Sequence, residues 1–467
     1  MTSTDLAIIG AGPAGMEAAA TARETGLSVL LIDEQPEPGG QIWRAIERNV
    51  SERPDNLAFL GPDYAAGAAK AERFRASGAN YWPSAMVWHL DSPEDGDKTI
   101  LVAWDGVTRQ VQARSVLLAT GAMERPVPIP GWTLPGVMSI GAAQTMLKSS
   151  GLYPQAPLVL AGSGPLLLLF AVQCHAAGIP VSAVLDTTPP GAMMRGLPHL
   201  PKALLGWRTL LKGRRLMQAL ASSGIPVYRH VRNLEALGAD SVERVRCTSD
   251  GQTVELEATT LLLHEGVVPN PQLTRLIGCE HRWNAAQRCF HPVLSDRGET
   301  SVPGVFVAGD GGGIGGAPAA ENTGRIAALE IAEELGAVNR PSGDIEIVKA
   351  RDNLRAQMAV RPLLDAMYPP PDWIGKLDGD VPVCRCEEVS ARAVRGAAAD
   401  GAPGPNQAKA FLRAGMGPCQ GRMCGLTVTE ILADAHGKEP DAIGYYRIRP
   451  PIKPVTVGEL AALDGAD

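Results

Sequence analysis

The start of the chain constrains its fold most, because a glycine-rich turn follows directly on an apolar strand. The run DLAIIGAGPAG, which begins at Asp5, puts Gly10, Gly12 and Gly15 in the pattern G-x-G-x-x-G. In a strand–turn–helix unit the first glycine permits the tight turn, the second leaves room for a pyrophosphate, and the third lets helix and strand pack closely. Free N–H groups at the start of the helix favour a phosphate. The pattern predicts a dinucleotide site that includes Gly10, Gly12, Pro13, Ala14 and Gly15.

The residues that follow agree with this interpretation. An alanine-rich helix should continue to about Thr25, Gly26 should end it, and a second strand is expected over residues 28–32. Asp33 then stands where a carboxylate accepts hydrogen bonds from ribose hydroxyls. Its neighbours Glu34 and Gln35 belong to the same predicted site.

Three further stretches resemble the flavoproteins that contain two dinucleotide-binding domains. They are EQPEPGGQIWR at 34–44, LLATGAMERPVPIPG at 117–131 and VPGVFVAGDGGG at 302–313. In that family the first stretch lies along the flavin, the second crosses to the second nucleotide domain, and the third carries an aspartate that contacts the ribityl chain. The resemblance implies FAD in the first unit, with further contacts from Gly40, Gln41, Arg44, Thr120, Gly121, Gly309 and Asp310. Glu124 and Arg125 are further flavin-site candidates, and structural salt bridges are an equal explanation for Arg44, Glu124 and Arg125.

Residues 157–188 repeat the strand–turn–helix–strand order. Gly162 and Gly164 are present, but Leu167 replaces the third glycine, and we expect it to hinder close packing of helix and strand. Asp186 could accept ribose hydroxyls, and no pair of arginines adjoins it for a 2′-phosphate. Whether this unit holds NAD(P), another nucleotide or none stays open.

Four of the eight cysteines cluster near the end of the chain. Cys384 and Cys386 form C-x-C, and Cys419 and Cys424 form C-x4-C. The intervening sequence predicts a helix from about Ala391 capped by Ser390, a helix over 407–414 ended by Gly415, and a helix over 426–435. The cysteines then fall in loops at helix ends. Four thiolates suit tetrahedral zinc or a [2Fe–2S] cluster, and the C-x-C spacing favours the cluster.

The segments CRCEEV and GPCQGRMCG resemble the bacterioferritin-associated-ferredoxin-like [2Fe–2S] domain, although that domain's best-known form ends in C-x2-C. Nearly the whole chain resembles the FAD/[2Fe–2S] subunits, of alpha or A type, of heteromeric amine and amino-acid dehydrogenases. This group includes subunits of opine oxidase, of hydrogen cyanide synthase and of proline or hydroxyproline dehydrogenase. The resemblance implies a hetero-oligomer in which a D-amino-acid-oxidase-like flavoprotein subunit oxidises the C–N bond of the substrate. It leaves room for FMN at the subunit interface and for a small third subunit.

The expected fold is α/β, with two Rossmann-like domains as in glutathione-reductase-like flavoproteins and a small α-rich [2Fe–2S] domain at the C-terminus. We expect a first part of the FAD domain at 1–125, a second nucleotide-binding-like domain at 126–285, and a closing part of the FAD domain at 286–340. A linker at 341–378 and the [2Fe–2S] domain at 379–467 would follow.

Composition narrows the class of protein. A net charge of −7 without a basic, aromatic-rich stripe argues against nucleic-acid binding. The most apolar stretch is broken at Gly162–Pro165, which indicates a buried strand and helix rather than a membrane span, and a cytoplasmic protein is expected.

No cysteine pair lies where disulfide reductases of this superfamily carry one. A self-contained NAD(P)H:acceptor oxidoreductase and a non-enzymatic iron–sulfur carrier or scaffold are the alternatives.

Overall fold

A seven-stranded sheet carries the first glycine turn. The structure, a computed structural model, describes residues 2–94, 96–338 and 345–463. The predicted boundary between the FAD domain and the linker, at 340–341, therefore lies outside the described residues. So do residues 464–467, the end of the predicted [2Fe–2S] domain. The elements up to the crossing are β1 (Thr2–Ile9), α1 (Pro13–Glu24), β2 (Val29–Ile32), α2 (Ile46–Glu52), α3 (Asn56–Leu60), α4 (Pro62–Ala65), α5 (Gly67–Ala76), β3 (Asn80–Trp82), β4 (Met86–Asp91), β5 (Lys98–Trp104), β6 (Val107–Leu118) and β7 (Ala122–Glu124).

In this first sheet the strand order is β3–β2–β1–β6–β5–β4. The strands β3, β2, β1 and β6 run parallel, and β5 and β4 continue the sheet antiparallel. The central strand β1 is apolar over its second half, and Leu6, Ala7 and Ile8 are fully buried. A strand covered on both faces reads as a continuous apolar run, which is why this segment lies in the middle of the sheet.

A second, wholly parallel sheet follows. The elements of this part are β8 (Val137–Ser139), α6 (Ile140–Ser150), β9 (Leu158–Ser163), α7 (Pro165–Ala176), β10 (Val181–Asp186), α8 (Ala192–Gly196), α9 (Leu200–Ala203), α10 (Trp207–Ser222), β11 (Val227–Tyr228), β12 (Arg232–Leu237), β13 (Arg244–Ser249), β14 (Gln252–Glu257), β15 (Thr260–Glu265), β16 (Val267–Pro269), α11 (Gln272–Leu276), β17 (His281–Asn284) and β18 (Cys289–Pro292). The sheet order is β11–β10–β9–β15–β8, with a separate antiparallel sheet β12–β13–β14.

Leu167 lies inside this unit without preventing the turn. Its side chain is only 2% exposed and belongs to one core with Leu160 and Phe170. The helix α7 still begins at Pro165, directly after Gly164. The second unit therefore accommodates the leucine by packing its side chain into the core.

The chain then returns to the first sheet and ends in a helical part. The remaining elements are β19 (Val305–Val307), α12 (Ala317–Glu334), α13 (Ile345–Met358), α14 (Arg361–Met367), β20 (Pro382–Cys384), β21 (Val389–Ser390), α15 (Ala391–Ala399), α16 (Pro405–Leu412), α17 (Gly425–His436), α18 (Pro440–Ile443) and α19 (Val457–Ala461). Strand β19 pairs in parallel with β6, so the closing segment belongs to the same sheet as the first turn. The exact division at residues 125, 285, 340 and 378 stays a prediction.

The helices of the last part lie close to where the sequence predicts them. Ser390 caps α15 by accepting a hydrogen bond from the Ala393 N–H. The helix predicted over 407–414 starts two residues earlier, at Pro405, and ends on Arg413, which has a left-handed backbone, rather than on Gly415. Within the described ranges, no helix is both long enough and apolar enough to cross a membrane.

Candidate functional site

The first glycine turn is built by backbone contacts that leave no room for side chains. A Cβ on Gly10 would lie 2.4 Å from the Ala119 carbonyl oxygen, and Gly10 has φ of +110°. A Cβ on Gly15 would lie 1.8 Å from the Gly10 carbonyl oxygen. Gly12 differs, because its nearest neighbour would be the Gly40 Cα at 3.9 Å. Gly10 and Gly15 are thus required by the fold, whereas Gly12 faces open space at the start of α1, where a pyrophosphate would fit.

The acid after β2 is held by the turn itself. Asp33 is 9% exposed, and its carboxylate accepts hydrogen bonds from the N–H groups of Ala11 and Gln35. Burial nevertheless raises the pKa of Asp33 above its ordinary value. The neighbouring Glu34 forms an ion pair with Lys453, from the last stretch of the chain. The two acids therefore lie together at the edge of the turn, and the C-terminal segment reaches this edge.

The segment predicted to lie along a flavin is anchored by a buried lysine. Lys148 on α6 is 4% exposed, and its Nζ donates to the carbonyl oxygens of Gln41 (3.1 Å) and Ile42 (3.0 Å) and to Gln144 Oε1 (3.0 Å). Thr145, on the same helix, donates to Gln41 Oε1. Burial lowers the pKa of Lys148 to about 7. The helix α6 thus holds Gln41 against the interface of the two nucleotide units.

Two more members of the predicted site lie beside the turn. A Cβ on Gly40 would come within 2.9 Å of the Gly12 Cα, so the two glycines allow these loops to meet. Arg44 interacts electrostatically with Asp33. The Nε of Arg44 is buried without a hydrogen-bond partner among the described residues. A buried guanidinium nitrogen without a partner suits an anionic or polar ligand.

The closing segment comes to the same side of the sheet. Asp310 Oδ1 accepts hydrogen bonds from the N–H groups of Gly315 (2.9 Å) and Gly316 (2.8 Å), just before α12. Gly309 donates its N–H to Thr323 Oγ1. A Cβ on Gly309 would lie 3.0 Å from the Ala14 Cβ, so the glycine lets this segment approach α1 closely. Thr120 and Gly121 follow β6, which pairs with both β1 and β19. The fold therefore brings together the four sequence segments predicted to contact FAD, and the open space, the free Arg44 nitrogen and the paired glycines fit that cofactor.

Glu124 and Arg125, in contrast, contact other side chains of the protein. Glu124 lies 2.7 Å from His264 Nδ1 and also accepts a hydrogen bond from the Gly141 N–H. Arg125, which is 4% exposed, donates to backbone carbonyls and lies 3.5 Å from Glu430. Structural bridging, one of the two explanations expected from the sequence, accounts for both residues.

Carboxylates flank the second glycine turn. Asp186 and Glu265 end the strands on either side of β9, level with Gly162 and Ser163. Burial raises the pKa of Glu265 to about 7, and Thr187 donates a hydrogen bond to it. A Cβ on Gly162 would lie 1.8 Å from the His264 carbonyl oxygen, so the glycine is required by the strand pairing. Asp186 is the last residue of β10, much as Asp33 directly follows β2 in the first unit.

The four clustered cysteines approach each other in two pairs. The Cys424 thiol donates to Cys384, and this contact lowers the pKa of Cys384 to about 6. The second pair is Cys386 with Cys419. The Gly415 N–H points at Cys384 Sγ at 3.5 Å. All eight cysteines are free thiols.

Glycines around the cysteines make room for close neighbours. A Cβ on Gly417 would lie 2.3 Å from the Cys386 Cβ. At Gly415 and Gly421 a Cβ would meet the ring of Tyr446, which is 2% exposed. The glycine-rich loop is therefore packed against one cysteine pair on one side and a buried tyrosine on the other.

Among the described residues, no group of three or more His, Cys, Asp or Glu side chains is arranged to hold a single metal ion. Two thiol pairs with a backbone N–H directed at sulfur nonetheless match the donor set of a cluster in which each of two irons has two thiolates. The [2Fe–2S] assignment is compatible with this arrangement and stays a prediction.

Lys148, Lys453 and Glu430 were missed by sequence reasoning. Each lies far along the chain from the residues it contacts, on segments that carry no motif. A buried lysine or glutamate on an otherwise ordinary helix looks the same in sequence as an exposed one.

Comparisons with known proteins agree with this architecture. Residues 4–324 match the family of pyridine nucleotide-disulphide oxidoreductases, and residues 382–464 match the sarcosine oxidase A3 domain. The chain is 45% identical to the A subunit of opine oxidase from Rhizobium meliloti, over 98% of this chain and 87% of that protein. It is 32% identical to the HcnB subunit of hydrogen cyanide synthase from Pseudomonas protegens, over 96% of this chain and 95% of that protein.

One solved structure shares the fold over nearly the whole chain. It is that of L-proline dehydrogenase from P. horikoshii, with a TM-score of 0.71 and 20% sequence identity, covering 98% of this chain and 79% of that one. Thioredoxin reductase of T. acidophilum, with a TM-score of 0.52, covers 72% of this chain. The chain belongs to the pyridine nucleotide-disulphide oxidoreductase family and, within it, to the flavoprotein oxidoreductases related to HcnB and to the A subunit of opine oxidase.

Proposed function

We propose that this chain is the electron-transferring subunit of a heteromeric dehydrogenase or oxidase that oxidises the C–N bond of an amino acid or an opine-like secondary amine. The observation that carries the proposal is the 45% identity to the A subunit of an opine oxidase over 98% of the chain. A D-amino-acid-oxidase-like flavoprotein subunit would oxidise the substrate. The same assignment is compatible with FMN at the subunit interface and with a small third subunit.

The first unit would hold FAD. Gly12, the start of α1 and the partner-free Arg44 nitrogen would receive the pyrophosphate, and Asp33 would receive the ribose hydroxyls. Lys148 would keep the Gln41 segment in place beside the flavin, because two of its hydrogen bonds tie that segment to α6. Bound FAD supplies an acceptor for two electrons that can be released one at a time.

The last part would hold a [2Fe–2S] cluster through Cys384, Cys386, Cys419 and Cys424. The two thiol pairs and the Gly415 N–H support this assignment over a single zinc, which requires four ligands around one point. Such a cluster carries single electrons. Together with FAD, the chain would convert a two-electron input into one-electron steps.

The residues beside the predicted flavin argue for a separate substrate-oxidising subunit. His291 packs against Gly313 in the closing segment and lies 3.5 Å from Cys289. Burial lowers the pKa of His291 to about 4 and raises the pKa of Cys289 to about 12, so both are neutral near pH 7. With these pKa values the imidazole is a weak base and the thiol a weak acid, so the pair is a poor candidate for proton transfer near pH 7.

The test compares the isolated chain with the chain co-expressed with the D-amino-acid-oxidase-like subunit. We expect FAD and iron in both preparations. Oxidation of opines, proline, hydroxyproline or sarcosine by an artificial acceptor should require the complex. Rapid bleaching of the isolated chain's flavin by NADH would support a self-contained reductase instead, and absence of flavin would support a carrier or scaffold.

A further inference from the structure

A long acid-free segment forms an unusual part of the surface. Between Asp186 and Glu235 the sequence contains eight lysines and arginines and no aspartate or glutamate, although the whole chain has a net charge of −7. This segment contains α8, α9 and α10, which lie between β10 and β11, the two strands at one edge of the parallel sheet. The segment therefore concentrates positive charge on an otherwise acidic protein.

The same segment exposes large apolar side chains. Six of them are more than half exposed: Met193 (58%), Met194 (72%), Leu197 (58%), Leu204 (59%), Leu205 (65%) and Trp207 (56%). The helix α10 has 16 residues, of which Leu220 alone is buried among the described ones. Single exposed apolar residues are ordinary, but six of them between residues 193 and 207 are typical of an interaction surface.

Basic side chains lie among these apolar groups. Arg195, Arg208, Arg214 and Arg215 have no carboxylate partner within the described residues. Arg208 lies over the ring of Trp207, with 5.6 Å from its Cζ to the ring centroid. We call the exposed face of residues 191–217 the α8–α10 surface. Its free arginines and exposed tryptophan are the residue types that dominate binding energy at protein interfaces.

The α8–α10 surface is connected to the predicted flavin site through α13 and α14. A Cβ on Gly196 would lie 2.9 Å from Leu363 of α14, and one on Gly206 would lie 2.2 Å from Val360. Met358, at the end of α13, packs against Gly315, whose N–H binds Asp310. Few layers of side chain therefore separate this surface from the closing segment of the flavin site.

We infer that the α8–α10 surface docks the substrate-oxidising subunit, through an acidic face of that subunit with apolar side chains at its centre. The inference rests on the heteromeric function proposed above and locates its subunit contact. Electron transfer through protein weakens steeply with distance, so a subunit that delivers electrons must bind near the flavin. Binding to a lipid surface would not require a position near the flavin. Binding of the same surface on a second copy of this chain would bring like charges together.

The test measures binding of the separately purified D-amino-acid-oxidase-like subunit to the FAD-loaded chain. In one variant Leu205→Ser and Trp207→Ala are combined, and in another Arg208→Glu and Arg215→Glu. We expect the apolar variant to weaken binding at least about tenfold, the effect of losing an interface hot spot. The charge variant should slow association and remove most of its dependence on salt. Val457→Ser and Lys438→Glu are the controls, because Val457 and Lys438 are also exposed but lie in the last part of the chain.

Other results of these binding measurements would contradict the docking surface, the proposed function or both. If the wild-type chain forms an active complex and both variants bind equally well, the docking surface is wrong and the proposed function stands. If the wild-type chain binds no such subunit, both proposals are overturned. Two further results would assign the surface to another occupant. One is flotation of the wild-type chain, but not the variants, with phosphatidylglycerol-containing vesicles. The other is loss of a homodimer in the variants. FAD content of every variant shows that the fold is intact.

Discussion

Arg125 Nη1 lies 3.5 Å from Glu430 Oε1, and both side chains are almost fully buried. Arg125 follows β7 at the crossing between the two nucleotide units, whereas Glu430 is on α17, the helix that begins directly after Cys424. Arg288 donates to the other carboxylate oxygen, so Glu430 lies between two cations. The flavin part and the cysteine part are therefore joined by a buried ion network rather than by the chain alone.

This network predicts the effect of Glu430→Gln. Removing one member of a buried ion pair leaves an uncompensated charge on Arg125, which costs about 3–5 kcal/mol. We expect the variant to unfold at lower denaturant concentration and to lose iron before it loses flavin. Chemical denaturation followed by absorbance measures both. Glu439→Gln, at an exposed position nearby, should behave as wild type, and equal stability of the two variants would show that the network contributes little.

Gly12→Val should abolish flavin binding while leaving the fold intact. A Cβ at Gly12 has no protein atom closer than 3.9 Å, so the added side chain would occupy the space reserved for a pyrophosphate. We expect a folded protein that retains less than about a tenth of the wild-type FAD. A loss of about 1.4 kcal/mol in binding free energy already lowers the affinity tenfold. Gly396→Val, at another glycine with open space around it, is the matched control. Wild-type FAD content in Gly12→Val would mean that the cofactor lies elsewhere.

Loss of one cysteine from either thiol pair should remove the cluster. We expect about two irons per wild-type chain prepared without oxygen, and little iron in Cys384→Ser or Cys419→Ser, because each change leaves one iron with a single thiolate. Iron and zinc analysis with electron paramagnetic resonance of the reduced protein provides the measurement. Cys247→Ala, a buried cysteine on β13, should keep its iron. One zinc and no iron in the wild-type chain would replace the cluster with a structural zinc.

Glu265→Gln should change the pH dependence of stability. Burial raises the pKa of Glu265 from 4.5 to about 7, so the folded protein prefers the protonated side chain. The unfolded chain releases this proton at lower pH, and the wild-type protein therefore loses stability as the pH rises from 4.5 through about 7. We expect the glutamine variant to match the wild type near pH 4.5 and to exceed it by about 3 kcal/mol above pH 7.

The control for this prediction is Glu257→Gln, because Glu257 is exposed and ends β14, the strand that precedes β15 along the chain. It should leave the pH profile of the denaturation midpoint unchanged. A parallel shift of the Glu265→Gln profile at all pH values would attribute the effect to packing rather than to ionisation.

Local sequence determined the two strand–turn–helix units and the cysteine spacing. Single residues show this local control of structure: Gly10 and Gly15 have no room for a side chain, and Ser390 caps the helix that it precedes. Such features depend on neighbours a few residues away, so they can be recognised from one sequence. The order of the three flavoprotein-like stretches predicted a closing part of the FAD domain, and in the structure that part contains β19, which pairs with β6.

Only the tertiary structure decided which distant side chains share a site. Lys148 reaches Gln41 from a helix in the second unit, Lys453 reaches Glu34 from the last segment, and Glu430 meets Arg125 across two domains. None of these pairs is close in sequence, and a buried charge on a helix looks the same in sequence as an exposed one. The charge patterning of residues 187–234 was likewise present in the sequence, but its exposure was not, because burial depends on how the helices pack against α13 and α14.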